Sequence, residues 1–198
     1  MALPLLAGCG VRFELGEDAP SSSPSASASP SVPPDVADLF PDEYAVLQRF
    51  QTDDFDVWVP SKPMKETYSY KNGNTTDVYS SWSDGFWLIV EHNLPAGTTM
   101  AEIADDYARG NDDAHGVHLV EGLNTTVDGL PGYSARYEEV IDDMTHTDEF
   151  TVVQDGSAMF IVETLNAGRG YGANQLRIAI SHSADVHLTD SASGAGRT

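Results

Sequence analysis

Residues 111–118 hold the densest set of side chains that could do chemistry. The segment reads Asn-Asp-Asp-Ala-His-Gly-Val-His, and the carboxylates and imidazoles of Asp112, Asp113, His115 and His118 are groups that bind zinc or manganese. Their spacing does not complete a site, because the segment follows a predicted helix end and no cysteine or His-x-x-x-His pair adds ligands. We therefore predict a solvated loop and no metal. A metal-dependent or hydrolytic envelope enzyme that uses this acidic and histidine loop is the alternative function.

Other catalytic patterns in the chain are incomplete. Asp142, Asp143 and His146 form an acidic turn without the regular ligand spacing of a calcium loop. A G-x-S-x-G nucleophile elbow is absent from the sequence, and the glycine-rich residues 168–172 lack the lysine and spacing of a phosphate loop. The sequence therefore predicts no catalytic residue and no cofactor, and we expect a protein that is not an enzyme.

Cys9 is the only cysteine, which excludes an intramolecular disulfide. It ends the motif Leu-Ala-Gly-Cys, which has the form of a lipobox, where small residues fit a narrow protease site and the cysteine receives a diacylglycerol. We interpret residues 1–9 as the remnant of a signal peptide and expect the true start to lie upstream. Cys9 then carries palmitate-type chains, and this lipid is the only attachment to the extracytoplasmic side of the cell membrane.

A Ser/Pro-rich linker is predicted at residues 10–34. Its sequence from residue 20 to residue 34, PSSSPSASASPSVPP, holds too few large apolar groups to offset the entropy of ordering. We expect this linker and a tail at 191–198 to be disordered. A single folded domain is predicted between them, at residues 35–190.

The charge of the chain restricts its partners. Acidic residues number 31 against 10 basic residues, a formal net charge of −21, and residues 51–198 alone hold 24 acidic and 8 basic residues, a balance of −16. Such a surface repels phosphate backbones and anionic headgroups, so we expect no nucleic-acid partner. Charge of one sign also keeps copies apart, and we expect a monomer.

Strand-like patterns dominate the predicted domain. Alternation and short apolar runs predict strands at 55–60, 64–70, 77–82, 86–90, 117–120, 125–127, 133–140, 150–153 and 158–165. Thr99 and Glu102 form a capping box for a helix that Gly110 ends, and further helices are predicted at 38–50 and 173–184. This order predicts an α+β domain with a predominantly antiparallel β-sheet and helices packed on its faces.

Aromatic residues concentrate on three consecutive strand candidates, where cross-strand stacking is expected. They are Tyr68, Tyr70, Tyr79, Trp82, Phe86 and Trp87. Most should be core, yet strand alternation forces some outward, and outward Tyr and Trp are common anchors of protein contacts. We select Tyr70, Tyr79 and Trp82 as candidate binding residues.

The domain resembles the PsbP-like α/β/α sandwich family. The similarity is carried by FDVWVP at 55–60, GFWLIV at 85–90, TVDGLPGYSARY at 126–137, VVQDGSAMFIVET at 152–164 and the closing helix. Within the family the layout is most similar to the mycobacterial LpqN and LpqT lipoproteins. The resemblance implies a binding or adaptor role at the cell envelope, with an envelope protein or a lipid-like apolar ligand as partner, and it transfers no site residue.

Lipidation of Cys9 is tested by mass spectrometry of the mature protein expressed with its upstream codons. We expect a chain that begins at Cys9 and carries a diacylglycerol, because the lipobox and the Ser/Pro-rich spacer both indicate a lipid-anchored protein. A mature species that retains residues 1–8, or lacks the lipid, would contradict the prediction.

Overall fold

The structure, a computed structural model, describes residues 31–70, 72–110, 116–167 and 172–188. The strands in these ranges are β1 Gln48–Gln51, β2 Phe55–Val59, β3 Met64–Ser69, β4 Thr75–Ser81, β5 Phe86–His92, β6 His118–Val127, β7 Leu130–Ile141, β8 Met144–Asp155, β9 Ala158–Ala167 and β10 Asp185–Val186. The helices are α1 Pro34–Ala37, α2 Met100–Arg109 and α3 Gly172–His182. None of these helices has the length and apolar character needed to cross a bilayer.

Seven strands form one antiparallel sheet in the order β3-β4-β5-β9-β8-β7-β6. Two runs of hairpins, β3 to β5 and β6 to β9, meet where β5 pairs with β9. Leu88, Ile89 and Val90 of β5 are all buried. The apolar run that predicted a strand covered on both faces is therefore confirmed.

One face of this sheet packs against α3 and a small sheet of order β1-β2-β10. Phe55 of β2 lies at the centre of the shared core, with its ring centroid 4.6 Å from that of Phe160 and 5.4 Å from that of Tyr79. Leu176 and Ile180 of α3 complete this core. We call this side of the large sheet the inner face.

The opposite face of the large sheet carries α2, which packs mainly on β7 and β8. Thr99 caps α2 as predicted, since its hydroxyl accepts from the Glu102 amide and the Glu102 carboxylate accepts from the Thr99 amide. Ile103 and Ala104 turn toward Ile89, Phe150 and other buried residues of the sheet. The domain is thus a predominantly antiparallel sheet with helices on both faces, which confirms the predicted α+β class.

Arg177 fixes α3 to the inner face through polar contacts. Its guanidinium donates to the hydroxyls of Ser134 and Thr151, both at 2.6 Å, and lies 3.5 Å from the carboxylate of Glu149. Burial lowers the pKa of Arg177 and raises the pKa of Glu149, and the charge of each group opposes the shift of the other.

The predicted helix at 38–50 is wrong. Residues 38–47 form turns and irregular chain, and residues 48–51 form β1, which pairs with β2. The strand is favoured over the helix because Arg49 binds Asp56 across the strands and Phe50 packs its ring against Phe55 and Tyr79. Tertiary contact thereby overrides the helix-start pattern of Pro41 and its acidic neighbours.

The N-terminal boundary of the domain involves residues 31–34, which the sequence analysis places in the linker. Val32 packs against the inner-face core, and α1 begins at Pro34. Residues 1–30, with Cys9, and the tail after residue 188 lie outside the described residues.

Burial of Tyr79 can be tested by denaturant unfolding. Tyr79→Ala should lower the free energy of unfolding by about 3 kcal/mol or more, because the side chain is 4% exposed and stacks on two rings. Tyr70→Ala, at a site 55% exposed, should stay within about 0.5 kcal/mol and serves as control. Equal losses for the two variants would contradict the placement of Tyr79.

Candidate functional site

The face of the large sheet that carries α2 is only partly covered by the described elements. Large side chains lie exposed on its β3–β5 side: Met64 is 64% exposed, Tyr68 46%, Tyr70 55% and Trp82 72%. Strand register places them together, since Met64 pairs with Ser80 and Ser80 with Trp87. We call Met64, Tyr68, Tyr70, Trp82 and Trp87 the aromatic strip.

Trp82 and Trp87 form one end of the aromatic strip. Their ring centroids are 5.0 Å apart and the ring planes lie at 87°, an edge-to-face contact that fixes both indoles. Trp82 lies in the turn after β4, whereas Tyr68 pairs with Thr76 near the start of that strand. Trp82 lies six positions after Thr76 along the chain, so the strip is roughly 20 Å long.

Carboxylates line the same face beside the aromatic rings. Glu91 accepts hydrogen bonds from the hydroxyl of Tyr107 and, at 2.8 Å, from the hydroxyl of Thr76. Glu66 accepts from the hydroxyl of Tyr68. These contacts hold the acidic groups in place next to the exposed phenol rings.

Glu163 is a carboxyl group on this face whose pKa is strongly raised. It lies on β9 directly opposite Trp87 and is half-buried. Burial, assisted by the negative charge of Asp148, raises the pKa of Glu163 to about 8. Burial and the nearby Glu139 raise the pKa of Asp148 to about 6. A cation brought to this end of the strip would favour the charged form of Glu163 and release its proton.

Basic side chains do not share this face on the strands that carry the strip. The positions of β3, β4, β5 and β9 that alternate onto it include Glu66, Glu91 and Glu163 but no Lys or Arg. Lys65 lies on the opposite face, where its ammonium is 2.8 Å from Asp77 and 5.2 Å from the centroid of the Tyr79 ring. The strip is therefore an aromatic and acidic surface suited to cationic, partly apolar groups.

Two of the three predicted binding residues lie on this surface. Tyr70 and Trp82 are exposed within the aromatic strip, whereas Tyr79 is buried in the inner-face core. The expectation that Tyr79 points outward is wrong, because successive side chains alternate across a strand. Even-numbered positions of β4, such as Val78 and Ser80, share a face with Trp82, and Tyr79 faces the other way.

The acidic loops that the sequence analysis weighed do not form a described site. Residues 111–115 lie outside the described residues, and His118, at the start of β6, is exposed with its Nδ1 3.2 Å from the carbonyl of Gly116. Asp142 and Asp143 form the β7–β8 turn with φ of 51° and 63°, and both are exposed.

A second cluster, which sequence reasoning missed, lies on the inner face. Asp54 from the β1–β2 turn, Asp77 from β4 and His92 from β5 bring ligand atoms within 4.8 Å of one another. Asp54 and His92 are 6% and 5% exposed. Their separation along the chain follows no ligand spacing, so only the pairing of β4 with β5 and the packing of β2 could have revealed them.

Comparison with known proteins identifies the fold. No protein-family model matches the chain, and no curated protein matches it. The solution structure of cyanobacterial PsbP (CyanoP) from Synechocystis sp. PCC 6803 is similar over 72% of this chain and 94% of that chain, with a TM-score of 0.51 and 16% identity. The domain has the PsbP fold. The resemblance inferred from the strand and turn motifs is confirmed at the level of architecture.

Two further solved structures are more distant. LpqN, described as involved in cell envelope biogenesis of Mycobacterium tuberculosis, covers 72% of this chain and 83% of its own at a TM-score of 0.36 and 10% identity. The immunity protein TplEi of Pseudomonas aeruginosa, solved with a peptide, covers 70% of this chain and 51% of its own at a TM-score of 0.40 and 13% identity.

The raised pKa of Glu163 predicts a loss of stability at high pH. In the folded chain this carboxyl binds its proton up to about pH 8, whereas the unfolded group releases it near 4.5. The folded state therefore holds more protons between these values, and stability falls as the pH rises through the window. The raised pKa of Asp148 likewise lowers the stability of the folded chain as the pH rises to about 6.

Glu163→Gln should consequently reduce the loss of unfolding free energy between pH 5 and pH 9 by about 1 kcal/mol or more. Urea unfolding at a series of pH values measures it. Asp155→Asn, at an exposed carboxylate at the end of β8, is the control and should leave the profile unchanged. A Glu163→Gln profile that coincides with the unsubstituted chain would refute the burial of this carboxyl.

Proposed function

We propose that the chain is a lipid-anchored, extracytoplasmic binding or adaptor protein of the bacterial cell envelope, which captures a basic segment of another envelope protein through the aromatic strip. The observation that carries the proposal is the exposure of Tyr70 and Trp82 beside the carboxylates of Glu91 and Glu163. A soluble domain that exposes several large aromatic rings on one face presents an interaction surface.

The strip matches the size and chemistry of an extended peptide segment. At roughly 20 Å it spans about six residues of an extended chain. Indole and phenol rings supply large apolar contact with few rotatable bonds, and a central anchor contributes on the order of 2 kcal/mol or more. Arginine and lysine stack on such rings and pair with carboxylates, so the strip favours a partner that alternates basic and apolar residues.

Charge supports a basic partner over a purely apolar ligand. The formal net charge is −21, and the strip is flanked by carboxylates without a basic residue on the same face of its strands. The negative electrostatic potential of the domain would raise the association rate with a basic surface at low salt. The buried aromatic contacts would set the dissociation rate.

The anchor in the proposal comes from the sequence. Cys9 ends a lipobox and precedes a Ser/Pro-rich spacer, a combination typical of envelope lipoproteins. A tether of this kind leaves the domain free to reach partners near the membrane surface. The enzyme alternative needs Asp112, Asp113, His115 and His118 to converge, and the only one of these that the structure describes, His118, is exposed at the start of β6.

Photo-crosslinking in cells tests which face engages the partner. A photoreactive phenylalanine analogue at Trp82 or Tyr70 should crosslink one specific envelope protein, and the analogue at Leu123, an exposed residue of β6, should not. Leu123 is the matched control because it is 56% exposed but lies at the opposite edge of the sheet. Crosslinks from Leu123 alone would place the interface elsewhere.

Affinity for the crosslinked partner, measured with purified proteins, should then depend on the strip. Trp82→Ala and Tyr70→Ala should each weaken binding about tenfold or more, and Leu123→Ala should leave it unchanged, since a central aromatic anchor contributes on the order of 2 kcal/mol. Binding should also strengthen from pH 6 to pH 9 in the unsubstituted chain and lose that dependence in Glu163→Gln, because a cation favours the charged carboxylate.

The enzyme alternative makes the opposite prediction for variants of the histidine loop. If a His115→Ala/His118→Ala double variant abolishes the cellular phenotype while the Trp82 and Tyr70 variants are silent, the binding proposal is wrong. We expect the double variant to leave partner capture unchanged.

A further inference from the structure

The Asp54, Asp77 and His92 cluster joins three elements that are distant in the chain. Asp54 ends the β1–β2 turn, Asp77 lies on β4 and His92 is the last residue of β5. The side chains of Asp54 and His92 are 8% and 7% exposed, and that of Asp77 is 14% exposed. Two carboxylates and one imidazole thus converge in a largely dehydrated corner between the small sheet and the large sheet.

The His92 imidazole and the Asp54 carboxylate lie at ion-pair distance without a direct hydrogen bond. The His92 Nε2 atom lies 3.7 Å from the Asp54 Oδ2 atom, which exceeds the range of an N–H···O hydrogen bond. Ligands at about 2.1 Å around a tetrahedral ion stand roughly 3.4 Å apart. The three ligand atoms lie within 4.8 Å of one another, so shifts of several tenths of an ångström would bring them around one centre.

The orientation of the His92 imidazole determines which of its two ring nitrogens can bind an ion. Its Nδ1 atom is buried and has no hydrogen-bond partner among the described residues. The ring nitrogen that faces Asp54 is Nε2. In the neutral tautomer that carries its proton on Nδ1, the Nε2 atom presents a lone pair suited to zinc.

Neighbouring polar groups already orient one of the carboxylates. Asp77 accepts from the hydroxyl of Thr67 at 2.6 Å and from the ammonium of Lys65 at 2.8 Å, one on each oxygen. Each oxygen retains a lone pair, so these contacts can remain as outer partners of a ligating carboxylate. Asp54 is held from its backbone, since its amide donates to Thr52 and its carbonyl accepts from the His187 amide.

We propose that Asp54, Asp77 and His92 form a binding site for a divalent transition-metal ion of the zinc class, with solvent completing the coordination. A bound ion would tie the β1–β2 turn to the β4–β5 hairpin and stabilise the inner face. The site is separate from the aromatic strip, which lies on the other side of the large sheet, so the proposal does not depend on partner binding.

Calorimetric titration of the full chain with zinc chloride tests the site, with magnesium chloride as the ion comparison. We expect one zinc ion per chain with a dissociation constant in the micromolar range or tighter, and no comparable heat with magnesium, which has little preference for imidazole. His92→Gln and Asp54→Asn should each weaken the binding at least tenfold. The NMR signals of the His92 ring should shift at one equivalent of zinc.

Matched controls separate this site from adventitious binding at exposed histidines. His118→Gln and His187→Gln alter exposed imidazoles outside the cluster and should leave the affinity unchanged. Should His92→Gln fail to fold, Asp77→Asn, at the least buried ligand, provides the second test. The proposal is overturned if zinc binds no tighter than magnesium, or if the His118 or His187 variant, and not the cluster variants, removes the binding.

Discussion

The pairing of β5 with β9 is the constraint on which the rest of the structure depends. It joins two separate runs of hairpins into one sheet and places Leu88 opposite Val162 and Val90 opposite Phe160. All four side chains are fully buried. The pairing of β5 with β9 positions residues of both proposed sites. Trp87 and Glu163 lie opposite each other on one face of the sheet, and His92, at the end of β5, lies on the other face.

Unequal cover of the large sheet explains why one face is available for binding. The inner face is packed against α3 and the small sheet, whose rings and apolar side chains leave no exposed aromatic there among the described residues. Among the described helices, α2 alone lies on the other face, and this helix of 10 residues packs mainly over β7 and β8. A helix this short is about 15 Å long and cannot cover a seven-stranded sheet, so the β3–β5 side stays open.

Local patterns in the sequence were sufficient for most strands, the capped helix α2 and the fold class, because alternation, turn residues and caps are short-range features. They failed at β1, where Phe50 and Arg49 form a strand only because β2 supplies partners. For the aromatic strip, the concentration of aromatic residues was enough to select Tyr70 and Trp82. It did not reveal that Tyr79 lies three positions before Trp82 and therefore faces the other side of the sheet. The Asp54, Asp77 and His92 cluster depends on three-dimensional packing and has no local pattern.

Hydrogen–deuterium exchange with and without the captured partner tests the central claim most directly, because it reports on the whole domain without any substitution. Both β3 and β6 are edge strands of the large sheet, and both are largely exposed. The account predicts slowed exchange in β3 and in the turn that carries Trp82, with β6 unchanged. Protection confined to β6, or to the loop near His118, would contradict the assignment of the aromatic strip as the binding surface.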